Sequence, residues 1–406
     1  MANVSSSNGL EKRPKLRFPG FDEPWNTALL SDYFVKSTKK NSDGMISNVI
    51  CNSAKQGLIP QREYFDKDIA NSDNTNGYYI IESNDFVYNP RKSADAPYGP
   101  ISSYQYSEAG IVSPLYLCFR AKREINPLYF EWYFRSSAWH RYIYMSGDSG
   151  ARHDRVSIKD DVFFAMPINV PSAKEQERIS LFLDAIERRI ETQRTLVETL
   201  KKYKRGLLNK LFSNINSNIY PTVYLSEVAD FLQGLTYSPS DVSVSGYLVL
   251  RSSNIQNGML SFDDCVYVDK KVDESLQVKC DDVIMCVRNG SKNLVGKTAL
   301  IPPNMPMTTW GAFMMIIRSK LNDTYIFHYL NSQMFFSQVF KDTGTATINQ
   351  ITKGILNECR LPLPPETERK QISKMLSSFD AKIQNAEKCL ATLVNLKKAL
   401  LQQLFI

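Results

Sequence analysis

The sequence predicts an α+β fold: two α/β globular domains separated by a pair of long antiparallel coiled-coil helices, with an internal pseudo-twofold repeat. The first observation is a gapless repeat, because residues 179–212 and 372–405 align at an offset of 193 with eleven of thirty-four positions identical. The second is a fainter repeat upstream of each of these segments. The third is the three-and-four spacing of apolar residues in both segments, which is typical of coiled coils.

The fainter repeat covers the globular part of each half-chain. Four stretches of the first half match stretches of the second half in order, with an offset that drifts by only a few residues. The pairs are 30–34 with 225–229, 84–91 with 281–288, 111–120 with 310–318, and 129–137 with 325–333. We therefore expect one design of globular domain to occur twice, with each copy followed by its long helix.

Each predicted helix carries a single apolar stripe. A helix of 34 residues is about 50 Å long and is poorly stable alone, so it needs a partner. We expect that partner to be the other copy in the same chain; a coiled coil between two chains is the alternative. The predicted helix-pair interface consists of Ile179, Leu183, Ile186, Ile190, Val197, Leu200, Ile372, Leu376, Phe379, Ile383, Leu390 and Leu393.

Composition excludes several classes of protein. The 406 residues are 43% hydrophobic but contain no run of about eighteen apolar residues, so we expect no membrane span. The first twenty residues lack the apolar core of a secretory signal, and the seven cysteines form no C-x-x-C pair, so we expect a cytoplasmic protein with reduced thiols. Three scattered histidines argue against a zinc site or a histidine-based hydrolase.

Residues 289–303, NGSKNLVGKTALIPP, resemble a phosphate-binding loop only superficially. Five residues lie between Gly290 and Gly296, whereas that loop has four, and a helix must follow it. Pro302 and Pro303 argue against such a helix. We interpret the stretch as a hairpin loop after a strand, although a nucleotide-driven enzyme built on Gly296, Lys297 and Thr298 is the hypothesis to test against it.

Two unlike modules held by a rigid spacer suit a bipartite DNA site. About 50 Å corresponds to roughly fifteen base pairs of B-DNA. A net charge of +7 is compatible with a polyanionic partner. Because the modules differ in sequence, their half-sites would differ too, and the target would be asymmetric and interrupted.

The chain resembles the specificity (S) subunits of Type I restriction-modification enzymes, the HsdS family. The resemblance rests on the duplication, the proline-bearing leads MPINVPSAKEQER and LPLPPETERKQ, the E-x-x-x-I helix openings, the L-L-x-x-L-F endings and the segment PKLRFPGFDEPW at 14–25. It implies two target recognition domains, double-stranded DNA and two methyltransferase (M) subunits as partners, and in some complexes restriction (R) subunits. It also implies that S-adenosylmethionine, ATP and Mg are bound by those partners, while this chain holds no cofactor or metal and is not an enzyme.

The resemblance and the repeat together give the predicted domain boundaries. They are a polar tail at 1–13, target recognition domain 1 at 14–168, a central conserved helical region at 169–215, target recognition domain 2 at 216–360, and a C-terminal conserved helical region at 361–406.

Candidate DNA contacts lie in polar and basic loops between the predicted strands and helices. Arginine and lysine bond guanine edges or phosphates, and asparagine and glutamine bond adenine. In the first domain the candidates are Lys36, Lys39, Lys40, Arg91, Lys92, Ser102, Ser103, Tyr104, Tyr106, Arg152 and Arg155. In the second domain they are Gln233, Tyr237, Arg251, Ser253, Asn254, Arg288, Asn289, Ser291, Lys292, Asn293, Lys297, Thr345, Thr347 and Gln350.

The sequence thus predicts a recognition subunit that positions methyltransferase and restriction subunits on an asymmetric bipartite DNA site. The alternative is a two-headed coiled-coil adaptor that binds no DNA. The two hypotheses differ in salt dependence, because phosphate contacts make DNA binding salt-sensitive.

Overall fold

The computed structural model describes residues 12–64, 75–147, 154–213, 219–340 and 350–406. The chain divides into two compact units, and each long helix contributes one half to each unit. Unit 1 consists of residues 1–192 and 389–406, and unit 2 consists of residues 193–388. Each unit therefore contains one globular domain, the first half of one long helix and the last half of the other.

The first half of the chain runs from the short strands of unit 1 into the first long helix, whose second half belongs to unit 2. Its helices begin where the sequence offers caps; Asn126, for example, accepts a hydrogen bond from the Tyr129 backbone N–H, and Pro127 follows it. The elements are β1 (Asn26–Leu29), α1 (Leu30–Tyr33), β2 (Phe34–Lys36), β3 (Ile50–Ser53), β4 (Gly57–Pro60), α2 (Gln61–Tyr64), β5 (Tyr79–Ile81), β6 (Phe86–Tyr88), β7 (Ile101–Ser103), β8 (Gly110–Val112), β9 (Leu117–Ala121), α3 (Pro127–Arg135), α4 (His140–Ser146), α5 (Asp160–Phe164), β10 (Pro167–Val170) and α6 (Ala173–Leu211).

Unit 2 repeats this order with additional strands. Its elements are β11 (Thr222–Tyr224), α7 (Leu225–Val228), β12 (Ala229–Gln233), β13 (Val242–Ser243), β14 (Tyr247–Leu250), β15 (Ile255–Gln256), β16 (Met259–Leu260), β17 (Val266–Val268), β18 (Val283–Cys286), β19 (Thr298–Leu300), β20 (Thr308–Trp310), β21 (Met314–Ser319), α8 (Tyr325–Leu330), α9 (Gln333–Val339), α10 (Lys353–Glu358), β22 (Arg360–Pro362) and α11 (Glu366–Leu404).

The central sheets of the two units have the same topology. Unit 1 orders its four strands β2-β9-β6-β7, and unit 2 orders its strands β12-β21-β18-β19, with antiparallel pairing throughout. In each unit the strand that leads into the long helix pairs with the first strand of the domain, β10 with β1 and β22 with β11. All four short sequence matches fall on equivalent elements, which confirms the internal repeat and the α+β fold.

The outer strands differ between the units. Unit 1 adds two small antiparallel pairs, β3-β4 and β5-β8, whereas unit 2 adds the four-stranded sheet β13-β17-β14-β20 and the pair β15-β16. The divergence that the sequence showed in the globular parts is therefore concentrated outside the central sheet.

An equivalent ion pair, with a buried carboxylate, joins two adjacent strands of the central sheet in each unit. In unit 1 the Asp85 carboxylate, 1% exposed, accepts two hydrogen bonds from Arg120 at 2.6 and 2.7 Å. In unit 2 Asp282 and Arg318 form the equivalent pair at 2.8 and 2.7 Å. Each carboxylate lies just before the central strand and each arginine lies near the end of its neighbour, so the pair fixes how these strands lie side by side.

The two long helices pack together and run antiparallel within each unit. In unit 1 the Lys397 ammonium of α11 bonds Glu187 of α6 at 2.6 Å, and in unit 2 Lys204 of α6 bonds Asp380 of α11. The offset of 193 relates Lys204 to Lys397 and Glu187 to Asp380, so one ion pair occurs twice. This confirms the predicted pairing of the two helices within one chain.

The predicted interface residues lie on the covered faces of these helices. Five of them are buried, namely Ile179, Leu183, Ile190, Val197 and Leu376, and the other seven are half-buried. Ile179 and Leu183 also belong to the apolar core of the unit 1 globular domain. The apolar stripe therefore serves the globular domain as well as the helix pair.

The residue that directly follows each long helix is a phenylalanine whose ring packs into the globular domain of the unit in which that helix ends. In unit 1 Phe405 packs on Tyr129 and Tyr133 of α3, with ring centroids 5.7 and 6.1 Å apart. In unit 2 Phe212 packs on Tyr325 and Tyr329 of α8, at 5.1 and 5.8 Å. The L-L-x-x-L-F endings are therefore anchors that fasten the end of one helix to a domain.

Candidate nucleic-acid interface

The central strand of each sheet ends in a loop that carries an arginine. In unit 2 this strand is β18, and Arg288 follows it; in unit 1 it is β6, and Arg91 follows it. Each arginine forms an isolated antiparallel bridge with the segment that precedes the long helix, Arg91 with Arg155 and Arg288 with Gln350. The two units thus present arginines at equivalent positions.

The loop after β18 is a hairpin, as the sequence predicted. β18 pairs antiparallel with β19, and the Gly296 N–H donates to Cys286 O at 2.8 Å. The segment after Gly296 is a strand, which contradicts the phosphate-loop hypothesis because no helix N-terminus faces the loop. Gly296 adopts φ +88°, and a Cβ atom there would lie 2.8 Å from a Phe336 ring carbon, so glycine is required for local geometry.

The unit 2 hairpin exposes several basic and amide side chains. Ser291, Lys292, Asn293 and Lys297 are exposed, and the two lysines form no salt bridge among the described residues. The hairpin borders a shallow groove of about 380 Å³ that is completed by Asn331, Phe336 and Phe340. Cationic side chains without a carboxylate partner are available for a polyanion.

Arg288 is held in place without a carboxylate. Its guanidinium carbon lies 5.3 Å from the centroid of the Phe313 ring, and its backbone N–H donates to Phe313 O at 3.2 Å. Phe313 itself is 59% exposed. The arginine is therefore oriented by stacking, and its N–H donors stay free for an external acceptor.

A second segment of unit 2, residues 250–254, lies beside the hairpin. Asn289 Nδ2 donates to Ser252 Oγ at 3.1 Å, which ties the two segments together. Arg251 forms a salt bridge with Asp264 at 2.8 Å, and Ser253 is half-buried. Asn254 is fully buried and its amide bonds three backbone groups, so its prediction as a DNA contact is corrected to a structural role.

In unit 1 the corresponding loop joins β6 to β7. Arg91 is exposed, with its Nε 3.9 Å from Asp154, and Lys92 is half-buried, with its backbone N–H bonded to Asp154 O. Arg155 is half-buried, and its Nε is a buried nitrogen that lacks a hydrogen-bond partner in the described part of the chain. The structure therefore brings the two segments that carry these three basic residues together.

Three predicted contacts of unit 1 are corrected by burial. Ser102, Ser103 and Tyr104 are 5%, 4% and 0% exposed. Ser102 Oγ donates to Asn52 Oδ1, and the Tyr104 hydroxyl donates to Glu108 O. The sequence placed these residues in a polar loop, but they lie in or directly after β7, which is covered on both faces; of the four candidates in this stretch only Tyr106, which is 37% exposed, lies at the surface.

The three candidate lysines at the end of β2 and just after it are exposed, and two of them have a carboxylate partner. Lys36 bonds Asp160, and this hydrogen bond raises the pKa of Lys36 above its ordinary value. Lys39 lies 3.8 Å from Glu82, whereas Lys40 forms no salt bridge among the described residues. Lys40 is consequently the strongest phosphate candidate of the three.

The remaining candidates are scattered. Gln233 and Gln350 are exposed, whereas Tyr237 is half-buried against the core that contains Leu235 and Val249. Arg152, Thr345 and Thr347 lie outside the described residues.

Sequence reasoning missed two exposed apolar side chains at this surface. Phe313 lies beside Arg288, and Leu115, 61% exposed, lines a cleft of about 310 Å³ with Pro90, the residue before Arg91. The spacing of 198 between them matches that between Arg120 and Arg318, so the repeat itself was the available signal.

Metal sites, membrane-spanning helices and disulfides each require an arrangement that the described residues do not show. Within the described ranges, no group of three or more histidine, cysteine, aspartate or glutamate side chains is arranged to hold a metal ion. None of the described helices combines the length and apolarity needed to cross a membrane. All seven cysteines are free thiols.

This chain is similar to a domain family and to known proteins that concern DNA specificity in Type I restriction enzymes. A model of the Type I restriction modification DNA specificity domain matches residues 220–394. The EcoKI specificity subunit of Escherichia coli is 28% identical over 171 residues, which cover 40% of this chain and 36% of that protein. The MjaVIII specificity subunit of Methanocaldococcus jannaschii is 24% identical over 241 residues, 54% of this chain and 56% of that protein. The chain therefore aligns with only about a third to a half of these relatives' length.

Two solved structures share the fold over nearly the whole chain. The S subunit of a Type I restriction-modification system from M. genitalium has a TM-score of 0.58 at 14% identity, covering 97% of this chain and 99% of that one. A chain from a study of complex assembly and conformational transition of the type I R-M system has a TM-score of 0.59 at 16% identity, covering 95% and 98%.

Proposed function

We propose that this chain is a specificity subunit of the Type I restriction-modification (HsdS) family and that it binds DNA at an asymmetric, bipartite sequence. Unit 1 reads one half-site and unit 2 reads the other. The chain then positions methyltransferase subunits, and in some complexes restriction subunits, on that site.

The observation that carries this proposal is the repeated arginine loop. Arg91 and Arg288 occupy equivalent positions after the central strand of topologically equal sheets, yet the loops that follow them share only the glycine pair Gly99 and Gly296 at the same offset. Two domains that recognise different half-sites need the same sheet and different polar loops. The loops make the base-edge contacts that specify sequence, and the sheet positions the loops.

The chemistry in this proposal belongs to the partners. S-adenosylmethionine, ATP and Mg are bound by the methyltransferase and restriction subunits, and the chain contributes recognition without catalysis. The similarity to the specificity subunits of EcoKI and StySPI supports a specificity role of this kind. The free thiols fit the cytoplasm as its compartment.

The proposal is tested by DNA binding of the full chain co-expressed with its methyltransferase subunits. We expect a random duplex library to yield one bipartite sequence with two unlike halves, and the affinity to fall steeply as salt rises from 50 to 200 mM. The two-headed adaptor predicts that no sequence is enriched and that DNA affinity does not depend on salt; that result would exclude DNA recognition.

A further inference from the structure

Each unit presents one exposed, apolar side chain on a rigid turn beside its loop arginine. In unit 2 the turn spans residues 311–314, closed by a hydrogen bond from Met314 N–H to Gly311 O at 2.8 Å. In unit 1 the turn spans residues 113–116, closed by a hydrogen bond from Tyr116 N–H to Ser113 O at 3.0 Å. The offset between these turns is 198 in every position.

The third position of both turns is apolar and faces solvent. Phe313 is 59% exposed and Leu115 is 61% exposed, and neither belongs to an apolar core of its unit. The two turns, SPLY and GAFM, share no identical residue. Single exposed apolar side chains are ordinary, but the same exposed position in two diverged domains indicates a shared requirement.

Backbone contacts hold the unit 2 side chain at the candidate interface. Phe313 O accepts hydrogen bonds from the N–H groups of Val287 and Arg288 at 3.0 and 3.2 Å, so the turn and the arginine loop are joined directly. The Arg288 guanidinium lies over the Phe313 ring. If Arg288 bonds a base edge, the Phe313 ring therefore lies at the adjacent base pair.

Different contacts hold the unit 1 turn, but it also lies beside the loop arginine of its unit. Ser113 Oγ accepts a hydrogen bond from Leu115 N–H at 3.3 Å, and β9, which follows the turn, pairs with β6, which precedes Arg91. Leu115 lines one cleft with Pro90 and Val156, the residues next to Arg91 and Arg155. The apolar side chain thus lies beside the basic pair.

We infer that Phe313 and Leu115 are specificity-determining residues that contact the 5-methyl group of a thymine, one in each half-site. The inference rests on the proposed DNA-binding function. In the major groove thymine is the base that offers an apolar methyl group, and apolar side chains beside arginine are suited to read it. A flexible polar side chain at these positions would not distinguish that methyl group from hydrogen.

The test uses duplexes of the selected target in which each thymine is replaced in turn by deoxyuridine, which removes the methyl group alone. For the wild-type complex we expect affinity to fall about fourfold at one thymine of each half-site, the effect of about one buried methylene-sized group. Phe313→Ala should abolish the sensitivity in the half-site of unit 2 alone, and Leu115→Ala in that of unit 1 alone.

Conservative and distant variants separate contact from stability. Phe313→Leu should retain the sensitivity, because leucine fills the equivalent turn of unit 1. Val244→Ala removes another exposed apolar side chain of unit 2, on the β13–β14 connection, and should change nothing. The exposure of Phe313 makes unfolding of the alanine variant unexpected, and thermal unfolding checks it.

Two results overturn the inference while leaving the proposed function intact. One is a selected half-site in which no thymine methyl group affects wild-type binding. The other is a Phe313→Ala complex that keeps the full thymine preference, or that loses affinity equally for thymine and deoxyuridine, as a wedge between base pairs would. A wild-type complex that enriches no sequence overturns both proposals.

Discussion

At the scale of single residues, the interface depends on how each cationic side chain is held. Lys36 and Arg251 are engaged by carboxylates, whereas Arg288 is held by an aromatic ring and Lys297 is free of salt bridges among the described residues. Charge alone did not distinguish these four in the sequence. Carboxylate partners supplied by distant segments decide which cations remain available.

Arg288 is expected to read a base rather than a phosphate. Arg288→Ala should weaken binding to the cognate half-site of unit 2 by about 1–3 kcal/mol and relax specificity at one base pair. Arg288→Lys keeps the charge but loses the two-pronged geometry, so specificity should still relax. Competition binding against each single-base variant measures this; equal weakening on all sequences would assign Arg288 to the phosphate backbone.

His328 makes unit 2 sensitive to acid. It is fully buried near Thr324, Ser377, Asp380 and Lys204, and burial lowers its pKa from 6.5 to about 3. Above pH 6.5 the histidine is neutral in both states and has no effect. Between about pH 6.5 and 3 only the unfolded chain binds the proton, so the free energy of unfolding falls by up to about 1.4 kcal/mol per pH unit as pH decreases.

The measurement is hydrogen exchange of unit 2 amides between pH 6.5 and 5, corrected for the intrinsic exchange rate. His328→Gln should flatten the pH dependence in unit 2 and leave that of unit 1, where burial lowers the pKa of His140 to about 4, unchanged. An identical slope in the variant would show that other groups are responsible.

At the scale of elements, the long helices are fastened to domains at both of their ends. The start of α6 contributes Ile179 and Leu183 to unit 1, and its end contributes Leu208 and Phe212 to unit 2. The apolar stripe predicted a helix pair correctly, but it could not reveal the tertiary anchors, because the same leucine spacing serves both kinds of contact.

The aromatic anchors should stabilise their own units. Phe212→Ala leaves a cavity against Tyr325 and Tyr329 and should destabilise unit 2 by about 3–5 kcal/mol, and Phe405→Ala should do the same to unit 1. Denaturant-dependent hydrogen exchange, read by peptide, assigns each loss to a unit. Equal loss in both units from either variant would contradict separate anchoring.

At the scale of the whole molecule, we expect the length of the two long helices to set the gap between the half-sites. Each helix has 39 residues, about 58 Å at 1.5 Å per residue. Deleting one heptad from each helix removes about 10 Å and keeps the apolar stripe in phase, so the preferred gap should shorten by about three base pairs.

Both half-sites should survive this double deletion unchanged, because no reading loop is altered. Selection from a random library with the edited and the unedited complex measures gap and half-sites together. An unedited gap in the shortened protein would refute the helix-length proposal, and deletion from one helix alone serves as the control because it breaks the register of the pair.

The sequence by itself determined the duplication and the two helices, because a repeated apolar spacing is local information that survives divergence. It also located the arginine loops and dismissed the phosphate loop through Pro302 and Pro303. The tertiary structure decided that the two helices pair within one chain. Only the tertiary structure decided that Ser102, Ser103, Tyr104 and Asn254 are buried, because strands and loops far away in sequence cover them. The tertiary structure also placed Phe313 next to Arg288 and Leu115 next to Pro90. The order of the strands in the sheet decides which residues lie beside a turn, and no short stretch of sequence encodes that order.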